Sequence, residues 1–325
     1  MTNFVFASCN PICIYGPKED YIKTIDWKIR CSIDLAEWYL KNTPQWNGLN
    51  VNSYVIREGG CTAADEIAIS FSEASQYIDW LLERGLTIDE IAPKLTFTMT
   101  CHIDFFEEVA KFRAARRLWA HLMRDTYKAQ TPKSWRLKYH VNTAGCSLEH
   151  KQPLNNIMRV TLEALSAVLG GTQSLQTCSY DEGINIPTKE AQRLAVRTQQ
   201  IIAHETGVCN VADPLGGSYY VEWLTNKMEE EIRSSMNDIK TQGGFFKAFT
   251  KGWIEHKVRE ASYSYQKEVE SKERIIVGTN EYTQPGDEEG EVPYFIVCEA
   301  DVKEHLDNLK TLRRTRKGRK VSQKL

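Results

Sequence analysis

The run Lys94-Leu95-Thr96-Phe97-Thr98-Met99-Thr100, followed three residues later by the helical pattern Asp104 to Tyr127, decides how this chain is read. β-branched and apolar residues alternate along the run, which predicts a strand, and the longer segment carries apolar residues at helical spacing. Working outward, three more β-rich runs appear: Leu49 to Val55, Trp135 to Val141 and Thr172 to Cys178. The four starts are separated by 45, 41 and 37 residues. Helical patterns over Thr62 to Arg84 and Pro153 to Leu169 fill the other gaps, the last with Ile157, Leu162, Leu165 and Val168 on one side. Strand and helix alternating in steps of about forty residues read as βα units in a parallel sheet.

Beyond Cys178, Thr188 opens a helix to about Glu205 that Gly207 ends. Ser218 to Lys240 and Phe245 to Val269 read as further helices separated by Gly243-Gly244, and Ile275 to Gly278 as a short strand. Tyr294 to Cys298, a helix from Asp301 and a basic tail at 310–325 close the chain. The expected organisation is a partial (β/α)8 barrel over 1–207, a helical extension over 208–309 and the tail. A closed barrel needs eight strands in about 250 residues. Only four are clear here, with Phe4 to Ser8 a possible fifth. An open parallel sheet leaves edges and a face uncovered, so the remaining strands are expected from another chain, or the sheet closes differently.

The 325 residues are 42% hydrophobic and 10% aromatic, enough for a sizeable core. A formal charge of −2 and a pI near 6.4 supply no basic field for nucleic acid or an anionic membrane. The basic tail reads as a solvated terminus, and no apolar run is long enough to span a bilayer. Nine cysteines stand singly, without a disulfide framework, and Cys9 and Cys13 lack a second pair for zinc. The expectation is a soluble protein of a reducing compartment, the cytoplasm or a mitochondrial matrix, holding no metal of its own.

In a parallel barrel the ligand site lies at the strand ends. There the sequence offers Tyr54 with Arg57 and Glu58, Lys94 with Thr96, His140 with Asn142, and Gln173 with Thr177, Asp181 and Glu182. The set is polar and mixed in charge, with no metal triad and no Ser/His/Asp order. Taken singly, His140 also reads as a core histidine and Asp181-Glu182 as a solvated loop. No Gly-rich phosphate loop follows any of the strands, so a nucleotide-binding α/β protein has little support.

Six segments, in order, resemble the large subunit of adenosylcobalamin-dependent acyl-CoA mutases, the methylmalonyl-CoA and isobutyryl-CoA mutase family. They are Ser53-Tyr54-Val55-Ile56-Arg57-Glu58-Gly59-Gly60, 85–97, 104–108, 113–120, Gly170-Gly171-Thr172-Gln173-Ser174-Leu175 and Asp213-Pro214-Leu215-Gly216-Gly217-Ser218-Tyr219-Tyr220. The resemblance implies a barrel threaded by the pantetheine arm of an acyl-CoA, closed by adenosylcobalamin held on a separate cobalamin-binding chain. Cobalt–carbon homolysis would start a radical rearrangement, with the protein binding, orienting and shielding.

Carried over residue by residue, Tyr54 matches the substrate-facing tyrosine. Lys94 and Thr96 match an arginine and a serine that hold the CoA, lysine keeping the charge without the bidentate fork. Gln45 takes the place of a lysine near the CoA, and His140 joins the substrate side. Gln173 and Glu182 match the cofactor side, Glu182 where the ribose is held.

There are departures. Val55 replaces the histidine that donates to the thioester carbonyl, a loss typically worth about 10²- to 10³-fold in rate. Asn142 and Cys178 replace a glutamine and an asparagine beside the corrin. Asn10 lies near the arginine that clamps a free carboxylate in methylmalonyl-specific members, which disfavours a dicarboxylic acyl group. No Asp-x-His-x-x-Gly, the cobalt-ligating motif, occurs. Two readings follow: an acyl-CoA mutase subunit, inactive alone and acting on a branched monocarboxylic acyl-CoA in complex, or a catalytically degenerate scaffold.

Overall fold

The computed structural model describes residues 18–43, 45–287 and 298–318, with side chains from Trp27 onward. In chain order the elements are α1 (Lys18–Asn42), β1 (Leu49–Asn52), α2 (Tyr54–Glu58), α3 (Ala63–Glu83), β2 (Leu95–Cys101), α4 (Phe105–His121) and β3 (Tyr139–Thr143). There follow α5 (Asn155–Leu169), β4 (Leu175–Gln176), α6 (Lys189–His204), α7 (Tyr219–Thr241), α8 (Phe245–Thr250), α9 (Trp253–Glu270) and α10 (Glu299–Thr315). The four strands form one sheet in sequential order, every neighbouring pair parallel. Sequential parallel strands joined through helices are the connectivity of a (β/α) barrel, and four strands are part of one.

Alternation along the strands separates two faces. Leu49, Val51, Leu95, Phe97, Met99, Tyr139 and Val141 are buried and share one apolar cluster with Ile67, Phe71 and Ile78 of α3, Phe112 and Trp119 of α4, and Ala167 of α5. The rings of Phe71, Phe97 and Trp119 meet mutually at 5.1–5.4 Å between centroids, edge-on or tilted, as ring quadrupoles favour. Each such side chain gains about 1.5–3 kcal/mol by leaving water. α7 lies outside α3 and α4, adding Met228 and Ile232 to the same cluster. The opposite face carries Asn50, Asn52, Thr96, Thr98, His140 and Asn142, all half-buried and polar.

Local chemistry sets the boundaries. Thr62 caps α3 by accepting the Asp65 N–H, and Asp104 caps α4 by accepting the Glu107 N–H. Thr188 caps α6 through the Ala191 N–H alone, without a capping box.

Several boundaries differ from the sequence expectation. β1 ends at Asn52, because the Ser53 carbonyl accepts the Ile56 and Arg57 N–H groups and starts a helix; Tyr54 and Val55 are therefore helical. Trp135 belongs to the one-turn helix Pro132–Trp135, so β3 begins only at Tyr139. β4 is two residues long. Phe245 to Val269 is two helices rather than one, broken at Gly252, whose φ of 76° suits glycine. Around Ile275 to Gly278 only an isolated bridge, Val277 to Glu281, forms. Phe4 to Ser8 and residues 294–297 lie outside the described residues.

Candidate functional site

The polar face of the sheet is held in register by its own side chains. Asn50 pairs with Thr96 and donates to its hydroxyl at 3.1 Å, while the Thr98 hydroxyl donates to the Asn50 carbonyl oxygen at 3.3 Å. His140 lies opposite Thr98, with Nδ1 2.8 Å from the Ser174 hydroxyl. Burial lowers the His140 pKa, so the ring is neutral near pH 7. Five threonine and asparagine side chains and a neutral imidazole thus line the face with donors and acceptors and no net charge.

The predicted residues divide between the two ends of the strands. At the amino ends a cavity of about 620 Å³ opens among Gln45, Asn50, Thr96, Lys138, His140 and Gln173. Gln173, expected beside Cys178 and Glu182, is therefore at the opposite end. Its side chain accepts the Tyr139 N–H and donates to the Leu137 carbonyl, closing the open side of β3 where β4 has not yet begun. Lys94 ends a 3-10 turn at the same mouth, one residue before β2. Burial, then the positive charges of Lys94, Arg136 and Lys133, lower the Lys138 pKa. Of these four cations Lys138 lines the cavity, and the other three lie near enough to act on it by charge. Three of the four were not singled out from the sequence, where the signal was the spacing Lys133-x-x-Arg136-x-Lys138 just ahead of a strand.

At the carboxy ends stand Tyr54, Glu58, Asn142, Cys178 and Glu182. The Tyr54 phenol and the Glu58 carboxylate both close on Gly145, where a Cβ would lie 3.2 and 2.9 Å from them, so a side chain there would displace the carboxylate. Glu58 also accepts the Gly145 N–H at 2.9 Å. Burial first, then Glu58, Cys178 and Glu182, hold the Tyr54 phenol well above its ordinary pKa. Burial pushes the Cys146 thiol up to about 12 and the Cys178 thiol higher still. Cys178 spends its thiol on the Thr143 carbonyl at 3.2 Å, and Glu182 accepts the Ser179 N–H at 2.7 Å. Asp181, expected as a possible solvated loop residue, is buried and accepts the Thr188 N–H. Val55 packs against a second apolar cluster, with Ile56, Ile239, Phe245 and Ile254, and so joins the contact that carries α8 and α9. Asn10 lies outside the described residues.

Phenol, thiols and imidazole are thus all neutral, and the contact of the Cys146 thiol with the Glu58 carboxylate raises the thiol pKa rather than activating it. Such a lining binds and orients by hydrogen bonding; it is poorly set for proton abstraction. Among the described residues no group of three or more His, Cys, Asp or Glu side chains is placed to hold a metal ion, and no helix is long and apolar enough to cross a membrane.

Comparison with known proteins accords with this geometry. The chain is 39% identical over 270 residues to the 2-hydroxyisobutanoyl-CoA mutase large subunit of Aquincola tertiaricarbonis, covering 83% of this chain and 48% of that protein. It is 38% identical over 309 residues to the probable mitochondrial methylmalonyl-CoA mutase of Caenorhabditis elegans, covering 95% of this chain and 41% of that one. With human mitochondrial methylmalonyl-CoA mutase it shares 38% over 265 residues, 82% of this chain and 35% of the human one. The chain thus spans less than half the length of these relatives. The methylmalonyl-CoA mutase profile matches residues 8–325, nearly the whole sequence, and the partial parallel barrel with its polar face is a member of that family.

Proposed function

We propose that this chain is the carboxy-terminal part of the acyl-CoA barrel of a cobalamin-dependent acyl-CoA mutase, working with a complementary barrel segment and a cobalamin-binding subunit. One observation carries the reading. A parallel sheet normally buries both faces in apolar side chains. Here one face is apolar under helices, and the other bears Asn50, Thr96, Thr98, His140 and Asn142. A bore so lined suits a pantetheine arm, whose amides and thioester need partners along their length. Lys94, Lys133, Arg136 and Lys138 at the amino-end mouth suit the phosphates of the same molecule, with Gln45, Thr96 and Gln173 beside them. Tyr54, at the other end, would meet the acyl group.

The carboxy-end residues also suit adenosylcobalamin in part. The Asn142 side-chain oxygen is buried without a hydrogen-bond partner, an acceptor left for a ligand. Glu182 has one oxygen bound to Ser179 and is half-exposed, open to a ribose hydroxyl. Cys178 offers nothing, its thiol being committed to Thr143. Bound at this end, adenosylcobalamin would supply the radical chemistry of a carbon-skeleton rearrangement. The cobalt ligand would come from the proposed cobalamin-binding subunit. The chain's own part is to align the thioester between Thr98 and Tyr54 and to exclude water. A branched monocarboxylic acyl group is the proposed substrate.

The test is reconstitution. The chain, an amino-terminal barrel segment and a cobalamin-binding subunit are combined with candidate acyl-CoA thioesters, and isomerised product is sought by mass spectrometry. Product that requires all three components supports the mutase. Tight thioester binding with no product from any of them would instead favour the degenerate scaffold, for which the committed Cys178 thiol and the packed Val55 already speak.

A further inference from the structure

Where β1 leaves the sheet, the parallel ladder is broken and a buried carboxylate takes its place. The Ser53 N–H still donates to the Thr98 carbonyl at 2.9 Å. In a continuing parallel ladder the Ser53 carbonyl would next accept the Thr100 N–H. It has instead turned into α2, where it accepts the Ile56 and Arg57 N–H groups. The Thr100 N–H goes to Glu66 Oε1 at 2.7 Å, and the Ser53 hydroxyl reaches the same oxygen at 3.1 Å. Lys111 Nζ lies 2.8 Å from Glu66 Oε2 and donates to the Thr100 carbonyl at 2.6 Å, so both sides of Thr100 are fixed by one ion pair. Glu108 completes the cluster against Lys111, and Arg57 faces Glu108 at 3.7 Å.

Stability alone is a poor reason for this arrangement. Glu66 and Lys111 are fully buried, and a well-packed apolar pair in place of such an ion pair is often as stable or more so. An apolar side chain, however, could not satisfy the orphaned Thr100 N–H. Two of the groups the carboxylate holds, Ser53 and Thr100, lie next to Tyr54. Ser53 precedes it in sequence, and the Thr100 hydroxyl sits 3.4 Å from the Tyr54 carbonyl.

We propose that Glu66 is a positioning residue for Tyr54: by standing in for a strand where β1 turns into α2, its carboxylate sets the place of the Tyr54 phenol at the mouth of the bore. The importance of that phenol to a thioester rests on the mutase reading; its placement by Glu66 does not. Glu66 is fully buried behind the sheet and acts on Tyr54 through Ser53 and Thr100. The proposal therefore predicts a change at residue 54 that is out of proportion to any change in overall stability.

The test uses the full chain with 3-fluorotyrosine at position 54, observed by fluorine NMR, in the parent, Glu66→Gln and Ser53→Ala. Glutamine keeps the shape but offers one acceptor oxygen where the carboxylate offers two, and alanine removes the Ser53 hydroxyl with its contacts to Glu66 and to the Thr98 carbonyl. The expected result is a shifted or split fluorine line in both variants, with faster broadening by a soluble paramagnetic agent and a cooperative thermal transition retained. A line that stays in place while the transition temperature falls would show an ordinary structural ion pair and overturn the proposal. If Glu66→Gln does not fold, Ser53→Ala decides alone, and an unmoved line there overturns it equally. Acyl-CoA binding by the assembled barrel is measured separately. Failure to bind counts against the mutase reading and leaves the fluorine result standing.

Discussion

The two faces of the sheet are built from alternate residues of the same strands, yet they obey opposite rules. On β2, Leu95, Phe97 and Met99 are buried against α3 and α4, whereas Thr96 and Thr98 are half-exposed and bonded to Asn50. The first set is explained by burial of apolar area and by ring packing. The second gains little from burial, and its hydroxyls and amides are ordered by hydrogen bonds to one another. The contrast teaches that stability is carried by the odd positions and, on the proposed function, binding by the even ones, so that either can be removed with little effect on the other.

The largest effect is expected on the closed face. Phe97→Ala opens a cavity between Phe71 and Trp119 and should cost about 3–5 kcal/mol, read as a lowered denaturation midpoint at constant slope. A loss below about 1 kcal/mol would mean that the ring triad is not the centre of the core.

Glu73 sharpens the same face through pH. It is buried in α3, and burial pushes its carboxyl from 4.5 up to about 8. The folded chain therefore keeps this proton between those values while the unfolded chain releases it. Its contribution is full below pH 4.5, declines as pH rises and is lost above about 8. Glu73→Gln should remove that decline, stabilising the protein at pH 8 on the order of 4 kcal/mol relative to the parent and scarcely changing it at pH 4.5. Thermal melts at the two pH values check it, and parallel curves for parent and variant would refute it.

Val55 lies at the join of the two regions. Histidine there restores the residue type expected of a thioester donor, but Val55 packs with Ile56, Ile239 and Phe245. Val55→His should therefore cost about 1–3 kcal/mol by burying a polar ring without a partner, and raise no activity in the reconstituted enzyme. Gain of turnover by this variant would show that the side chain can reach the bore.

The smallest stability effect belongs to the open face. Thr98→Val should change the denaturation midpoint by no more than about 0.5 kcal/mol. It should weaken acyl-CoA binding by about tenfold, the measure of one aligned hydrogen bond, in calorimetry on the assembled barrel. Unchanged affinity would break the division of labour between the faces.

Much of this was readable in the residues. Strand–helix spacing near forty, the caps at Thr62, Asp104 and Thr188, and the alternation of Leu95, Phe97 and Met99 with Thr96 and Thr98 all depend on neighbours within a few positions. So the parallel partial barrel and its apolar face were legible. The end of β1 was not: Val51, Tyr54, Val55 and Ile56 all favour a strand, and it is the turned Ser53 carbonyl, compensated by Glu66 on another helix, that starts a helix there.

The candidate site was legible as a set of residue types and not as a layout. Thr96, His140 and Tyr54 were identifiable from sequence, but Gln173 moved to the opposite end because its side chain substitutes for a missing strand beside Tyr139. Lys133, Arg136 and Lys138 escaped notice because three spaced cations ahead of a strand look like a solvated loop until Lys94 stands beside them. Short-range pattern is a property of the chain and so the sequence determined the alternation, the caps and the family. Which end of a strand a side chain serves, and which buried charge replaces a lost backbone partner, depend on groups tens of residues apart, and only the tertiary structure brings those together.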